Sequence, residues 1–513
     1  MLRDDPDQIQ FANFYLPFSG GLKRSNRWVK LAGMMPWDEV ERCYAESLSG
    51  SGMGAPAKSG RIAYGAQLIK ERLGLTDEET AEQVQENPYL QYFLGLEEFR
   101  EEALFDSSMM VHFRSRFTQE HQRRINERVI ELATASATPQ QTSYPKKEDK
   151  GECDELPPSG KLLVDATCAP ADVRYPTDLS LLGEAREKTE ATIDTFHAHL
   201  LEQDPKRKKE RTYRQKARKQ FLSVSKQKKP GLKKISKAIG QQLGYLRRNL
   251  GHLDRMLDGH CGLLSLLSGY QYKCLLVVRE LYRQQSQMHE QRSHRISDRI
   301  VSISQPHVRP IVRGKAGKPV EFGAKVSISH QKDGYVTLDA LSWDAYNEGG
   351  DLPSQIEGYR TRFGHYPASV HADGIYRTRE NRKYCKNRGI RLSGKPLGRP
   401  RKVTESNEQE LKAQRKQCRQ DEIDRIPVEG KFGNAKRKGT LGRVMAKLAH
   451  TSESVIHVAI VALNLETWLR AALFWIFRVA CERCEALLAS FGRALQRSVG
   501  NVVVELPTQP VRI

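Results

Sequence analysis

The sequence is short of acids. Its 513 residues carry 62 Asp and Glu against 83 Lys and Arg, a formal net charge of +21. Solubility alone asks for a net charge of only about 2–8. The excess therefore points to a polyanionic partner, with nucleic acid ahead of membrane surfaces. Apolar residues are also sparse at 38%, but that is still a globular share, so the charge sits on a folded chain. Disulfide-forming pattern is missing. The nine cysteines are odd in number and scattered, and only Cys481 and Cys484 form a CxxC. No second CxxC or histidine pair completes a zinc site, and a reducing cytoplasm is the expected compartment. There is no G-x-x-x-x-G-K-S/T, which removes the P-loop and the expectation of ATP use. "HEQRSH" (289–294) misses the HExxH spacing. Its two histidines lie about 140° apart around a helix and share no face. The opening MLRDDPDQ is acidic and polar, unlike a signal peptide. "AALFWIFRVA" (471–480) is broken by Arg478 and falls short of the roughly 20 residues of a membrane span. It reads as a buried or packing helix, and no membrane partner is expected.

What is present divides the chain by texture. Residues 1–60 read as an extended arm ending in the turn-rich linker "SGSGMGAPAKSG". Residues 61–133 read as a helical module: Ile62, Leu68, Ile69 and Leu73 recur at helical spacing, and Thr76 with Glu79 forms a capping box. Arg114, Arg116, Arg123 and Arg124 give it basic exits. Such a module either lays a helix in a DNA groove or simply packs. Residues 134–160 form a linker. Residues 161–182 and 300–450 carry strand signals alternating with helices, the pattern of an α/β domain. Between them, residues 183–299 are helical and basic. Fourteen Lys or Arg against Glu210 alone, from Pro205 to Lys234, predict a phosphate-backbone surface. "VEFGAKVSISH" and "GYVTLDALSW" are strands joined by a "QKDG" turn, residues 396–420 read as a mobile loop, and 451–513 are helical.

Three acids stand out within this frame. Asp165 is expected to end the apolar strand "KLLVDATCAP", Asp373 to end "ASVHADGIY", and Glu429 to sit where the late helices begin. Carboxylates brought together repel, so a cluster is stable mainly when cations neutralise it. Two magnesium ions held in this way would activate a water or a 3′-hydroxyl against a phosphodiester. Each acid also has a plainer reading: a cap for Asp165, an Asp–Gly turn for Asp373, an ion pair with Arg425 or Lys436 for Glu429. On a helix, Arg425, Glu429, Phe432 and Lys436 share one face. Pro427 suits a first helical turn, which puts Arg425 just outside it. His371, two residues before Asp373, is on the acid's side of the strand, where packing is the plainer reading.

"Arg425-IPV-Glu429-GKFGNA-Lys436" matches R-x3-E-x6-K, and in this the chain resembles bacterial insertion-sequence DDE transposases of the IS-five group. "LLVDAT" and "VHADGIY" resemble the settings of that family's first two catalytic aspartates, and "LGLTDEETAEQVQENPYLQYFLGL" is similar to its N-terminal helical domain. The resemblance implies a ribonuclease-H-like mixed sheet with flanking helices, interrupted here by the basic helical insertion and preceded by an all-helical domain. It implies metal-dependent cleavage and transfer of DNA strands. Asp165, Asp373 and Glu429 are then the catalytic, metal-binding triad, with Asp172 and Asp178 as alternatives for the first. Arg425, Lys436 and Arg437 are then phosphate ligands, Mg2+ the cofactor and Mn2+ its substitute. The implied partners are terminal inverted repeats, target DNA and further copies of the chain, in a bacterial, nucleoid-associated setting. Where the family signature carries a tyrosine, this chain has Glu422. The rival readings are a non-catalytic DNA-binding protein and a structure-specific nuclease of the same fold.

Overall fold

The computed structural model describes residues 21–48, 56–136, 157–312, 320–331, 333–395, 398, 403–404 and 407–499, with residues 261 and 475–499 described by backbone course only. The CxxC of Cys481 and Cys484 therefore lies outside the described side chains.

Seven helices come first: α1 (Arg27–Met34), α2 (Trp37–Glu46), α3 (Gly60–Leu73), α4 (Asp77–Glu86), α5 (Pro88–Phe93), α6 (Met109–Arg116) and α7 (Gln119–Ser136). The first two correct the expected extended arm. Asn26 caps α1 by accepting from the Trp28 N–H. Trp28 and Trp37 both set their rings edge-on to Phe93, at 5.2 Å. Burying two indoles outweighs the glycines and prolines around them. The expected Thr76–Glu79 capping box is present. The expected basic exits are present only in part: Arg114, Arg116 and Arg124 are engaged within the module, while Arg123 stays exposed. Arg114 grips Asp77 through two bonds of 2.8 and 2.7 Å, and Arg116 donates to the Tyr44 hydroxyl at 2.6 Å. Arg123 pairs with Glu120, and Arg124 with Glu39 and Glu46.

A six-stranded mixed sheet follows, made of β1 (Lys161–Pro170), β2 (Arg309–Val312), β3 (Val320–His330), β4 (Val336–Ser342), β5 (Ser369–His371) and β6 (Arg391–Leu392). The order is β2-β3-β1-β5-β6, and β4 shares the outer edge of β3 with β2. β3 runs antiparallel to β1, β2 and β4, while β5 and β6 run parallel to β1. The backbones of β1 and β3 come so close at Gly323 that a Cβ there would sit 2.0 Å from the Ala169 carbonyl oxygen. Alternation sorts the faces. Leu162 and Val164 pack on α12 (Leu352–Phe363) and α13 (Arg379–Asn387). Ala169, Ala324, Val326 and Ile328 pack on the last two helices.

The insertion starts at Asp178 rather than 183, because Thr177 and Ser180 form a capping box there. α8 (Asp178–Gln203), α9 (Arg214–Ser225), α10 (Leu232–Gly259) and α11 (Gly269–Glu290) close around their own core, which includes Leu182, Phe196, Leu246, Leu253 and Leu281. Part of the basic run is neutralised, since Arg214 and Lys209 both bind Asp194. Lys216, Lys219, Lys226, Lys228, Lys229, Lys233 and Lys234 remain exposed.

α14 (Glu408–Lys438) and α15 (Ala449–Val499) complete the fold. α14 corrects two expectations. Residues 408–420 are helical rather than a mobile loop, and Pro427 lies inside the helix, so Arg425 does too. The run "EQELKAQRKQ" is rich in helix formers, and Pro427 forfeits one hydrogen bond on an exposed face. α15 wedges between two cores. Ile456, Ala459 and Ile460 meet the sheet, while Val458, Val461, Leu465 and Leu469 meet the N-terminal helices. Its segment Ala449–Phe474 is long and apolar enough to cross a membrane, but half of its most apolar stretch is buried inside the protein. Leu473 and Phe474 are exposed, so the described start of "AALFWIFRVA" is not buried, and the side chains of its remainder lie outside the described residues.

Glu71 of α3 fixes the far end of α14. It accepts from the Thr440 N–H at 2.8 Å and from the Thr440 hydroxyl. Burial pushes its carboxyl from 4.5 up to about 7, despite those two donors. The folded protein then holds a proton that the unfolded chain has lost, so this contribution is full below about 4.5 and disappears as pH rises through about 7. From pH 5.5 to 8, wild type is expected to lose about 2 kcal/mol of stability that Glu71→Gln does not lose. Urea unfolding at the two pH values measures it, and equal losses would remove Glu71 from the account.

Candidate active site

β1 continues past Asp165 to Pro170, so this acid lies inside a strand and not at its end as expected. Its parallel neighbour β5 stops first. Leu163 pairs with His371, the last residue of β5. Asp165 and Asp373 each lie two residues beyond that pair, so the sheet presents both acids at the same level. Asp165 shares its face of β1 with Thr167 and Ala169, which is the side covered by α14.

α14 supplies the third acid. Asp165, Asp373 and Glu429 line one cavity of about 800 Å³, together with Arg425, Phe432 and Lys436. The one-face spacing 425, 429, 432, 436 thus meets the sheet as the helical period requires. Phe432 anchors the helix in the core beside Val428 and Ala435. Lys436 donates to the Thr167 hydroxyl at 2.9 Å, which ties the helix to β1.

The other two acids act on Asp165. Burial pushes the Asp165 carboxyl up, and the negative charges of Asp373 and Glu429 add to this. The Ala166 N–H, at 2.9 Å, and the Arg425 guanidinium oppose it. Asp373 accepts from the Gly374 N–H at 2.6 Å, with Arg425 3.8 Å away. Glu429 is exposed and has no hydrogen-bond or ion-pair partner among the described residues. The plain ion pair with Arg425 or Lys436 is not formed. The Arg425 Nε is buried without a partner, an unused donor beside the acids. Three hard oxygen ligands, one of them wholly free, fit divalent cations.

Not every expected residue arrives. Arg437 is exposed, bonds the Gly433 carbonyl at 3.2 Å and does not line the cavity. It stands about 80° around α14 from Glu429, off the shared face. Asp172 pairs with Arg443 and Asp178 with Arg299, both away from the cavity. Glu422 is exposed, 3.9 Å from Lys395. Sequence reasoning missed Lys325, Tyr346, Glu348 and Tyr376, which also line the cavity. Lys325 bonds the Tyr346 carbonyl at 2.6 Å and pairs with Glu348. A lone lysine inside the apolar strand "FGAKVSIS" was the available signal.

Among the described residues, only a neighbouring group brings three ligand atoms within 4.8 Å of one another; Asp165, Asp373 and Glu429 share the cavity without doing so. That group is His371, Asp421 and Asp424. His371 is fully buried, with one ring nitrogen 3.0 Å from the Ser369 hydroxyl and the other 3.7 Å from Asp421 and 3.9 Å from Asp424. The cluster's charge is already matched. Arg391 holds Asp421 through two 2.8 Å bonds, and Lys161 holds Asp424 at 2.6 Å. A divalent ion there would meet two resident cations, which makes this the poorer metal site.

The chain's relatives bear on the same region. Residues 370–466, which hold Asp373 and Glu429, match the family described as "Transposase DDE domain". Residues 18–116 match "Transposase domain (DUF772)". The two matches support a bacterial DDE transposase. A transposase DDE domain implies a divalent metal requirement. Asp165 lies outside both matched segments, so its assignment rests on the cavity. A Rhizobium meliloti protein, "Uncharacterized protein ORF8 in nfe locus", is 29% identical over 153 residues, 30% of this chain and 66% of the relative. The chain thus spans slightly under two thirds of that relative's length. No solved structure matches.

Proposed function

We propose that the chain is a transposase of the IS-five group that cleaves DNA at the ends of an insertion sequence and joins the freed 3′-hydroxyls to target DNA. The observation that carries this is the convergence of Asp165, Asp373 and Glu429 on one cavity, with Arg425 and Lys436 flanking them from the same helix. A mixed sheet with helices on both faces supports the ribonuclease-H-like reading of the fold.

Each group has a task. Asp165, Asp373 and Glu429 would hold magnesium, or manganese in its place. Held by these acids, the metal would supply activation of a water or 3′-hydroxyl and neutralisation of charge at the leaving oxygen. The Arg425 guanidinium binds a non-bridging phosphate oxygen through its unused donors, and Lys436 a second along the strand. Phe432 and the Lys436–Thr167 bond keep Glu429 at a fixed height over the sheet. Water attacks first and a 3′-hydroxyl second, in the same geometry. The exposed lysines of the insertion grip the DNA backbone, so affinity falls steeply with salt. The two ends of an element call for at least two copies of the chain on the DNA.

A linear duplex carrying the element's inverted repeats tests this. With Mg2+ or Mn2+ it is expected to be nicked at the ends and joined to a plasmid target. Cleavage without joined products would favour a structure-specific nuclease. Binding without cleavage in either metal would leave a DNA-binding protein and overturn the proposal.

A further inference from the structure

α14 has a second working face. Lys431, Asn434, Ala435 and Lys438 lie about 140–240° around the helix from Glu429. They line a cavity of about 250 Å³ closed by α1, α3 and α15. Five cations surround this space: Arg27, Arg72, Lys431, Lys438 and Arg470. They come from four helices and concentrate positive charge at one point; of the two acids lining the cavity, Glu466 alone pairs with these cations among the described residues. It binds Arg72 at 2.6 Å and Arg470 at 3.0 Å. The other acid on the wall, Glu71, is committed to Thr440. Lys431 donates to the Thr467 hydroxyl, and no carboxylate among the described residues lies within 4.0 Å of it. The Arg72 Nε is buried with no partner. Burial lowers the Arg72 proton affinity; Glu466 opposes this, and the charges of Arg27 and Arg470 add to the lowering.

Gathering like charges in a half-enclosed space is unfavourable unless an anion enters it. The donors are ammonium and guanidinium groups with hydroxyl and amide groups of Thr467 and Asn434 beside them, which suits a tetrahedral oxyanion. We propose that this cavity is a binding site for a phosphate group, built between the N-terminal helices and the back of α14. An anion seated there holds together the two halves of the protein directly behind the helix that carries Glu429. The source is either free phosphate or a phosphate of a DNA backbone lying across α1 and α14.

Thermal unfolding of the full chain in inorganic phosphate, against chloride at equal ionic strength, tests the site. Wild type is expected to gain roughly 2–4 °C at saturating phosphate. Arg27→Gln, a change at an exposed residue, and Lys431→Met should each lose most of that gain. Glu429→Ala should keep it, which separates this site from the proposed catalytic one. Equal responses to phosphate and chloride, or a full phosphate response in both cavity variants, would overturn the proposal. The source follows from DNA binding. If the phosphate belongs to DNA, Lys438→Gln lowers the salt slope of binding by about 1. An unchanged slope with a lost phosphate response identifies free phosphate.

Discussion

Glu429→Ala is expected to slow metal-dependent strand cleavage by about 10³-fold while leaving stability and DNA binding as they are. Glu429 is exposed and has no partner among the described residues, so its loss should change stability by no more than about 0.5 kcal/mol. Its proposed work is done only when metal and phosphodiester are present. Loss of one ligand that stabilises transition-state charge is worth roughly 4 kcal/mol, which is the stated factor. Asp373→Ala should give a similar loss of rate, and it also frees Arg425 from the acid 3.8 Å away. Nicking rates, read beside DNA affinity without divalent metal, check both. Cleavage within tenfold of wild type in either variant would remove that residue from the site.

Asn464→Leu is expected to destabilise the fold by about 2–5 kcal/mol, with the largest structural effect of any single change named here. Asn464 is fully buried on α15. Its amide accepts from the Val336 N–H and donates to the Val336 carbonyl, both at 2.8 Å, and donates to Asn126 of α7 at 2.8 Å. It therefore takes the place of a neighbouring strand at the edge of β4 and links that edge to the N-terminal helices. Leucine fills the volume but leaves the Val336 N–H and the Asn126 oxygen buried without partners, at about 1–3 kcal/mol each. The Val336 carbonyl keeps Asn126 as a donor at 3.1 Å. Urea unfolding checks the value, and a loss under 0.5 kcal/mol would mean that water reaches this edge.

The sequence made local features legible and hid those decided at long range. Period-two alternation marked β3 and β4, and the capping box marked α4. The helical period alone predicted that Arg425, Glu429, Phe432 and Lys436 would act together, and all four line the cavity. α1 and α2 were missed because the contact that orders them, two indoles against Phe93, spans more than one helix. Pro427 hid the first half of α14, since a proline inside a helix reads as its start. Asp165 read as a strand end because the apolar run stops there, yet β1 continues on pairing with β3. What actually ends beside Asp165 is β5, which no pattern within β1 could reveal. Arg114 and Arg124 looked like a DNA surface because their acids, Asp77 and Glu39, are far away in sequence.

The central claim is that Asp165, Asp373 and Glu429 hold the metal and that the neighbouring cluster of His371, Asp421 and Asp424 does not. Manganese binding to the full chain, followed by electron paramagnetic resonance of free Mn2+, tests it directly. Wild type is expected to take up Mn2+, Asp373→Asn with Glu429→Gln to lose that uptake, and Asp424→Asn to retain it. Uptake that survives the double change but is lost in Asp424→Asn would contradict the account.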